Sequence, residues 1–193
     1  MAEKKYTPMM QHYLQMKEEN PDAILFYRLG DFYEMFFEDA KLVSQELDLV
    51  LTGRSAGVEE KVPMCGVPFH AANSYIQRLV KKGYKVAICE QLEDPSTAKG
   101  LVDRGIIKII TPGTYMDATM DAKSTNYMAS CDVSSFEITV IYCELSTGEL
   151  KYQTLQRSLV ALQKALLEQN VSELVCPMTM DKKWMAALEE MDT

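Results

Sequence analysis

The sequence lacks the features of membrane, secreted and zinc-binding proteins. No apolar run approaches the roughly 18 uncharged residues of a membrane span, and the N-terminal Met-Ala-Glu-Lys-Lys lacks the apolar core of a signal peptide. The chain has two histidines, and its five cysteines are scattered without a Cys-x-x-Cys pair, which argues against a zinc site. We therefore expect a cytoplasmic protein with free thiols, no metal site and no membrane contact.

The sequence motifs of several common enzyme classes are also absent. There is no phosphate-binding loop of the form G-x-x-x-x-G-K-[ST] or G-x-G-x-x-G, and no G-x-S-x-G turn around a nucleophilic serine. His12 and His70 are far apart in the sequence, which leaves little for a Ser-His-Asp or Cys-His arrangement. We predict that this chain has no catalytic residue and does not hydrolyse ATP.

Negative charge is concentrated in the second part of the chain. The formal net charge is −8, which argues against a general nucleic-acid binder. Residues 1–115 carry 14 basic and 16 acidic side chains, whereas residues 116–193 carry 6 basic and 12 acidic ones. The objection to nucleic-acid binding is therefore weaker for the first part.

Hydrophobic periodicity predicts an α/β fold in two domains. Within residues 1–115, helices are predicted at 8–19, 38–47 and 71–82, strands at 23–29, 32–37, 50–52, 85–90 and 104–110, and an irregular segment at 63–70. Periodicity is lost over residues 116–125, which we interpret as a linker. For residues 126–193 the same pattern predicts three strands joined by short turns, followed by a helix, a strand and a final helix.

The segment 30–37, Gly-Asp-Phe-Tyr-Glu-Met-Phe-Phe, is the most informative one. Side chains alternate in a strand, so Phe32 and Glu34 share one face. Burying the Glu34 carboxylate unpaired would be costly, so it must be paired, solvated or bound to a ligand. Phe32 follows a Gly-Asp turn, where an aromatic side chain can project outward. An exposed Phe with a carboxylate two residues on suits a wedge beside a polar contact; a core Phe beside a surface Glu is the alternative.

This segment belongs to a series of motifs that resembles the N-terminal part of the MutS family, the bacterial DNA mismatch-recognition ATPases. The series follows the family order and comprises Thr7-Pro8-Met9-Met10, residues 22–40, residues 63–70, residues 86–91, Asp94-Pro95, Lys99-Gly100 and Thr111-Pro112-Gly113-Thr114. Residues 126–193 resemble the start of the connector domain of the family more weakly.

The resemblance implies a mixed-sheet mismatch-recognition domain over residues 1–115, a linker over 116–125 and the N-terminal part of an RNase H-like connector domain over 126–193. It implies that Phe32 inserts beside the mispaired base from the minor groove and that Glu34 hydrogen-bonds this base. Such a wedge unstacks and kinks the duplex. A mismatch lowers the cost of this deformation, so the protein would read the deformability of the duplex.

The resemblance also implies partners and backbone contacts. By their charge, four basic residues are candidate contacts to the DNA backbone: Lys108, which the family position also favours, and Arg104, Arg28 and Arg54. The expected partners are mismatched double-stranded DNA, MutL through the connector region and a second copy of the full-length protein. ATP and Mg²⁺ would act in the full-length protein, and we expect no cofactor in this chain, which resembles an N-terminal fragment.

Two alternatives to mismatch recognition remain open from the residues themselves. One is a small metal-dependent nuclease that uses Asp132 and neighbouring carboxylates, since a two-metal site needs several converging acidic side chains. The other is a module that binds only proteins.

Overall fold

The computed structural model describes residues 6–93, 102–116 and 125–192. The chain divides into two compact units, Met1–Pro112 and Gly113–Thr193. Most of the predicted linker, residues 117–124, lies outside the described residues, and so do the motif residues 94–95 and 99–100. None of the helices in the described ranges is long and apolar enough to cross a membrane.

The first unit is a six-stranded mixed sheet with helices packed on both faces. Its helices are α1 (Pro8–Glu19), α2 (Phe37–Leu47) and α3 (Ala72–Val80), and its strands are β1 (Ala23–Leu29), β2 (Phe32–Phe36), β3 (Thr52–Arg54), β4 (Val62–Pro68), β5 (Lys85–Gln91) and β6 (Arg104–Ile110). The strand order is β3-β4-β2-β1-β5-β6. Strands β1 and β5 are parallel, and the other neighbours are antiparallel. The predicted α/β class with a mixed sheet is confirmed.

Helix α1 covers one face of this sheet. It begins where Thr7 and Pro8 predict it, because a proline at the first helical position needs no amide partner. Met10 and Tyr13 of α1 are buried against Tyr27 and Phe36 of the sheet. Helix α2 lies on the opposite face, where the Cys65 thiol donates a hydrogen bond to the carbonyl of its residue Ala40, with 3.4 Å between sulfur and oxygen.

Two local predictions were wrong, and they concern strands β3 and β4. Residues 63–70, predicted as irregular, form strand β4 and a short 3₁₀ turn, Phe69–Ala71. A proline cannot donate a ladder hydrogen bond; Pro63 lies outside the pairing of β4 with β2, which covers Met64 to Pro68, and Pro68 is the last residue of β4. The strand predicted at 50–52 lies instead at Thr52–Arg54, which brings Arg54 into the sheet.

The second unit contains the predicted meander and α-β-α segment. Its elements are β7 (Tyr127–Val133), β8 (Glu137–Glu144), β9 (Glu149–Gln156), α4 (Leu159–Glu168), β10 (Val171–Val175) and α5 (Lys182–Glu189). The sheet order is β10-β7-β8-β9, with β10 parallel to β7 and the meander strands antiparallel. Ile138, Val140 and Tyr142 pack against Leu162 and Leu166 of α4 to form the core.

All five cysteines are free thiols. Cys65, Cys89 and Cys131 are buried, whereas Cys143 and Cys176 are half-buried. Burial raises the pKa of the Cys65 and Cys89 thiols to about 11. Thiols of this kind are packing groups and poor nucleophiles.

Candidate nucleic-acid interface

The turn between β1 and β2 presents an aromatic ring to solvent. Leu29 and Phe32 form the last pair of the β1–β2 hairpin, and Gly30 and Asp31 form its two-residue loop. Gly30 has φ = +58°, a conformation that glycine adopts without strain. Phe32 is the first residue of β2, and 46% of its surface is exposed. Nearly half of a large apolar ring is therefore available to a partner.

Strand β2 carries this exposed ring on the same face as a buried one. Phe32, Glu34 and Phe36 alternate along β2, and Phe36 is fully buried beneath α1. The Tyr13 hydroxyl accepts the Phe36 amide proton over 3.2 Å. One end of β2 is thus fixed in the core, whereas the other end stands at the surface.

The carboxylate of Glu34 is ion-paired with the Arg54 guanidinium through Nη1 and Oε2. The Glu34 side chain is 15% exposed and that of Arg54 is 36% exposed. Arg54 also lies over the Phe36 ring, with 5.9 Å from its Cζ atom to the ring centroid. The pairing compensates for the partial burial of the carboxylate, which was the requirement deduced from the sequence.

Gly66 lies beside Glu34 in the sheet. Glu34 pairs with Gly66 across β2 and β4, and Arg54 lies on β3 beyond β4. A Cβ atom at Gly66 would lie 3.2 Å from the Tyr33 carbonyl oxygen and 3.4 Å from Cγ of Glu34. The absent side chain therefore leaves room for the side chain of Glu34.

The other three basic candidates lie apart from this pair. Arg28 forms an ion pair with Glu90 at 3.3 Å, on the side chain face opposite Phe32. Arg104 is 7% exposed, and its guanidinium donates to the carbonyl oxygens of Arg28 at 2.9 Å and Val102 at 2.8 Å. This environment favours a structural role for Arg104. Lys108 is exposed on the edge strand β6.

Comparison with known proteins shows the family to which the chain belongs. Residues 7–119 match the family model described as MutS domain I. The chain belongs to the MutS family. It is similar to the DNA mismatch repair protein MutS of Clostridium botulinum (strain Loch Maree / Type A3), with 53% identity over 177 residues, which covers 86% of this chain and 19% of that protein. It is also similar to the protein of the same name from Clostridium tetani (strain Massachusetts / E88), with 58% identity over 146 residues, 75% of this chain and 17% of that protein.

This MutS-family chain spans about a fifth of the length of the curated relatives that it matches. The range matched to MutS domain I includes Phe32 and Glu34, as well as all four basic candidates. Their individual roles in DNA binding stay predictions. The family assignment and the sequence resemblance agree over the first unit.

The structure adds residues to the candidate interface of this MutS-family chain that the sequence did not single out. Phe69, which directly follows β4, is 43% exposed, and its amide donates to the carbonyl of Asp31 over 2.9 Å. Glu90 accepts a hydrogen bond from the Tyr33 hydroxyl. Phe69 and Glu90 lie in the quoted motifs 63–70 and 86–91, but only the fold brings them to the Gly30–Asp31 turn.

The carboxylates proposed for a nuclease do not form a cluster. Asp132 is exposed on β7 and pairs with Thr139 of β8. Within residues 6–93, 102–116 and 125–192, no group of three or more His, Cys, Asp or Glu side chains is placed to hold a metal ion. Nothing in the described part of the chain supports the nuclease alternative.

Proposed function

We propose that this chain is the mismatch-recognition module of a MutS protein and that it binds mismatched double-stranded DNA through the Phe32 end of β2. The observation that carries this proposal is an aromatic ring left 46% exposed on a strand whose other end is fixed in the core. Exposed rings of this kind suit insertion between base pairs from the minor groove. The membership of the MutS family supports the same function.

Phe32 acts as a wedge because its support is rigid. Unstacking a base step costs a few kcal/mol, and a mobile side chain would add the cost of its own ordering. Phe32 is paired with Leu29 of β1 on one side and with Pro68 of β4 on the other. A mismatched step deforms more easily than a paired one, so a rigid wedge selects mismatches through the flexibility of the duplex.

Glu34 forms the polar contact to the mispaired base, on the same face as Phe32. Its charge is compensated by Arg54, so the carboxylate would approach the phosphates as part of a neutral pair. When Glu34 bonds to the base, Arg54 becomes free to contact the DNA backbone. Among the basic candidates, Arg54 is the one that is ion-paired to Glu34 itself.

The test is binding of the 193-residue chain to a labelled duplex with one G·T mismatch, compared with a matched duplex, at low salt, where phosphate contacts are strongest. Phe32→Ala is the test variant. Phe136→Ala is the matched control, because Phe136 is 89% exposed in the second unit. We expect a mismatch preference that Phe32→Ala abolishes and Phe136→Ala retains. Retention of the preference in Phe32→Ala would contradict the proposal, and so would equal binding of both duplexes by the wild-type chain.

We also propose that the second unit is the N-terminal part of an RNase H-like connector domain. Its support is the strand order β10-β7-β8-β9, an antiparallel meander with a fourth strand parallel to the first. MutL binding by this region, dimerisation, and ATP and Mg²⁺ binding by the full-length protein follow from the family and stay predictions. The same holds for the cytoplasmic location and for the expectation that this chain acts without a cofactor and without catalysis.

A further inference from the structure

Arg28 is placed on the opposite face of the sheet from the Phe32 ring. Arg28 pairs with Tyr33, whereas Leu29 pairs with Phe32. Neighbouring residues of a strand point to opposite faces, so the guanidinium of Arg28 and the ring of Phe32 leave the hairpin in opposite directions. A DNA duplex bound at Phe32 would therefore contact the face of the hairpin opposite to the one that carries Arg28.

The guanidinium of Arg28 contacts three groups around the Gly30–Asp31 turn. Its Nε donates to the carbonyl oxygen of Gly30 over 2.5 Å, and its Nη1 lies 3.3 Å from Oε1 of Glu90. Its Cζ lies 3.9 Å from the centroid of the Phe69 ring. An arginine that combines a backbone hydrogen bond, an ion pair and a stacked ring has a fixed position, which a phosphate would have to disrupt.

Phe69 joins the turn to the next element of the fold. Its amide donates to the carbonyl of Asp31 over 2.9 Å. Both loop residues therefore have a hydrogen-bonded carbonyl, that of Gly30 with Arg28 and that of Asp31 with Phe69. Phe69 opens the 3₁₀ turn Phe69–Ala71, which leads directly into α3. The position of the loop is therefore coupled to the packed body of the first unit.

Glu90 and Tyr33 hold the Arg28 side chain from behind. Both the Arg28 guanidinium and the Tyr33 hydroxyl donate to Oε1 of Glu90. Arg28 also lies over the Tyr33 ring, with 5.6 Å from Cζ to the ring centroid. The charge of Arg28 is thus balanced within the protein by a carboxylate on β5.

We propose that Arg28 and Phe69 are positioning residues for mismatch recognition: together with Glu90 and Tyr33 they form a turn brace that fixes the Gly30–Asp31 loop and thereby the direction of Phe32. This inference rests on the proposed wedge function of Phe32. It assigns Arg28 a different role from the contact to the DNA backbone that its charge alone indicates. Arg28 contributes to the selection of mismatches and not to the general attraction of DNA.

The substitution Arg28→Lys separates the two roles. Lysine keeps the charge that a phosphate contact needs, but it lacks the planar group that stacks on Phe69 while bonding to Gly30. We expect the ratio of the matched to the mismatched dissociation constant to fall toward one in Arg28→Lys, with binding of the matched duplex unchanged. Arg78→Lys is the matched control, because Arg78 is exposed on α3.

The salt dependence of binding gives a second separation. In Arg28→Gln, loss of a phosphate contact would lower the slope of log K against log salt by about 0.9 and weaken both duplexes by the same factor. We expect the slope to remain unchanged and the loss to be confined to the mismatched duplex. The first result would overturn the proposal.

Phe69 tests the turn brace without any change of charge. We expect Phe69→Leu to reproduce the loss of mismatch preference, because the stacked ring is gone, and Phe69→Tyr to retain the preference, because the ring remains. The half-exposed position of Phe69 makes these variants compatible with folding, which circular dichroism checks. A Phe69→Leu variant that keeps the full preference would overturn the proposal.

Hydrogen exchange in the absence of DNA tests the turn brace independently of the wedge function. The Phe69 amide, which bonds to Asp31, should exchange faster in Arg28→Lys than in the wild-type chain, with the amides of β8 as an internal reference. Unchanged exchange would overturn the turn brace. If Phe32→Ala keeps its mismatch preference while exchange responds as expected, the wedge function fails and the structural part of the inference stands.

Discussion

Glu34 on β2 and Arg54 on the edge strand β3 form an ion pair that spans the intervening strand β4. The pair places a neutralised carboxylate on the face that carries the exposed Phe32 ring. A carboxylate at a DNA interface would otherwise repel the phosphates. In the proposed function, Arg54 thus makes an acidic contact to the base compatible with binding to a polyanion, and Gly66 leaves room for the Glu34 side chain.

The first prediction concerns the energy of this pair. Arg54→Met leaves the half-buried Glu34 carboxylate without its partner, and we expect the free energy of unfolding to decrease by about 0.5–1 kcal/mol. In the Glu34→Gln background the same substitution should cost less, because no charge is left uncompensated. Urea denaturation of the wild type, both single variants and the double variant measures the coupling. Strictly additive effects would show that the pair contributes nothing.

The second prediction concerns the space that Gly66 provides. In Gly66→Ala the new methyl group would press on the Tyr33 carbonyl at 3.2 Å and touch Cγ of Glu34 at 3.4 Å. We expect weaker mismatch binding and a loss of about 1 kcal/mol of stability. Gly105→Ala is the control, since its Cβ would meet the Cδ1 end of the Leu92 side chain at 3.1 Å, which can move aside. Equal behaviour of the two variants would contradict a specific role for Gly66.

The sequence predicted most of the elements because their periodicity and end signals are local. Helix α1, for example, begins at Pro8 as its Thr-Pro signal indicates. The shared face of Phe32 and Glu34 also followed from the period of a strand. The partner of Glu34 did not, because Arg54 lies in a strand of three residues whose position depends on pairing with β4. Likewise, the contact of Arg28 with Phe69 depends on the order of strands, which residue spacing does not encode.

The third prediction concerns alkaline pH and the turn brace. Burial, and then the hydrogen bond to Glu90, raises the pKa of Tyr33 to about 12, above the ordinary value of 10.0. The pKa of Tyr33 is higher in the folded state than in the unfolded state. The contribution of neutral Tyr33 to the free energy of unfolding is therefore complete below pH 10.0 and is lost as the pH rises towards about 12. We expect the urea midpoint to fall over this window, and to fall less steeply in Tyr33→Phe. Burial also raises the pKa of Tyr27 to about 12, so part of the decline should remain in Tyr33→Phe.

The outcome that would contradict this prediction is an identical pH dependence in the wild type and Tyr33→Phe. The control is Tyr152→Phe, because Tyr152 is 80% exposed on β9. This control should leave the alkaline decline unchanged, because it removes a hydroxyl group from an exposed ring outside the turn brace.

The last prediction compares two phenylalanines on one face of one strand. Phe36 is fully buried and Phe32 is 46% exposed. We expect Phe36→Ala to lower the free energy of unfolding by about 3–4 kcal/mol, because it leaves a cavity beneath α1. Phe32→Ala should cost less than about 1 kcal/mol, because a half-exposed ring gives up less burial. The effect on mismatch preference should be reversed. At a temperature where both variants remain folded, Phe32→Ala should abolish the preference and Phe36→Ala should affect it less. A large loss of stability in Phe32→Ala would instead identify Phe32 as a core residue, which is the alternative that the sequence left open.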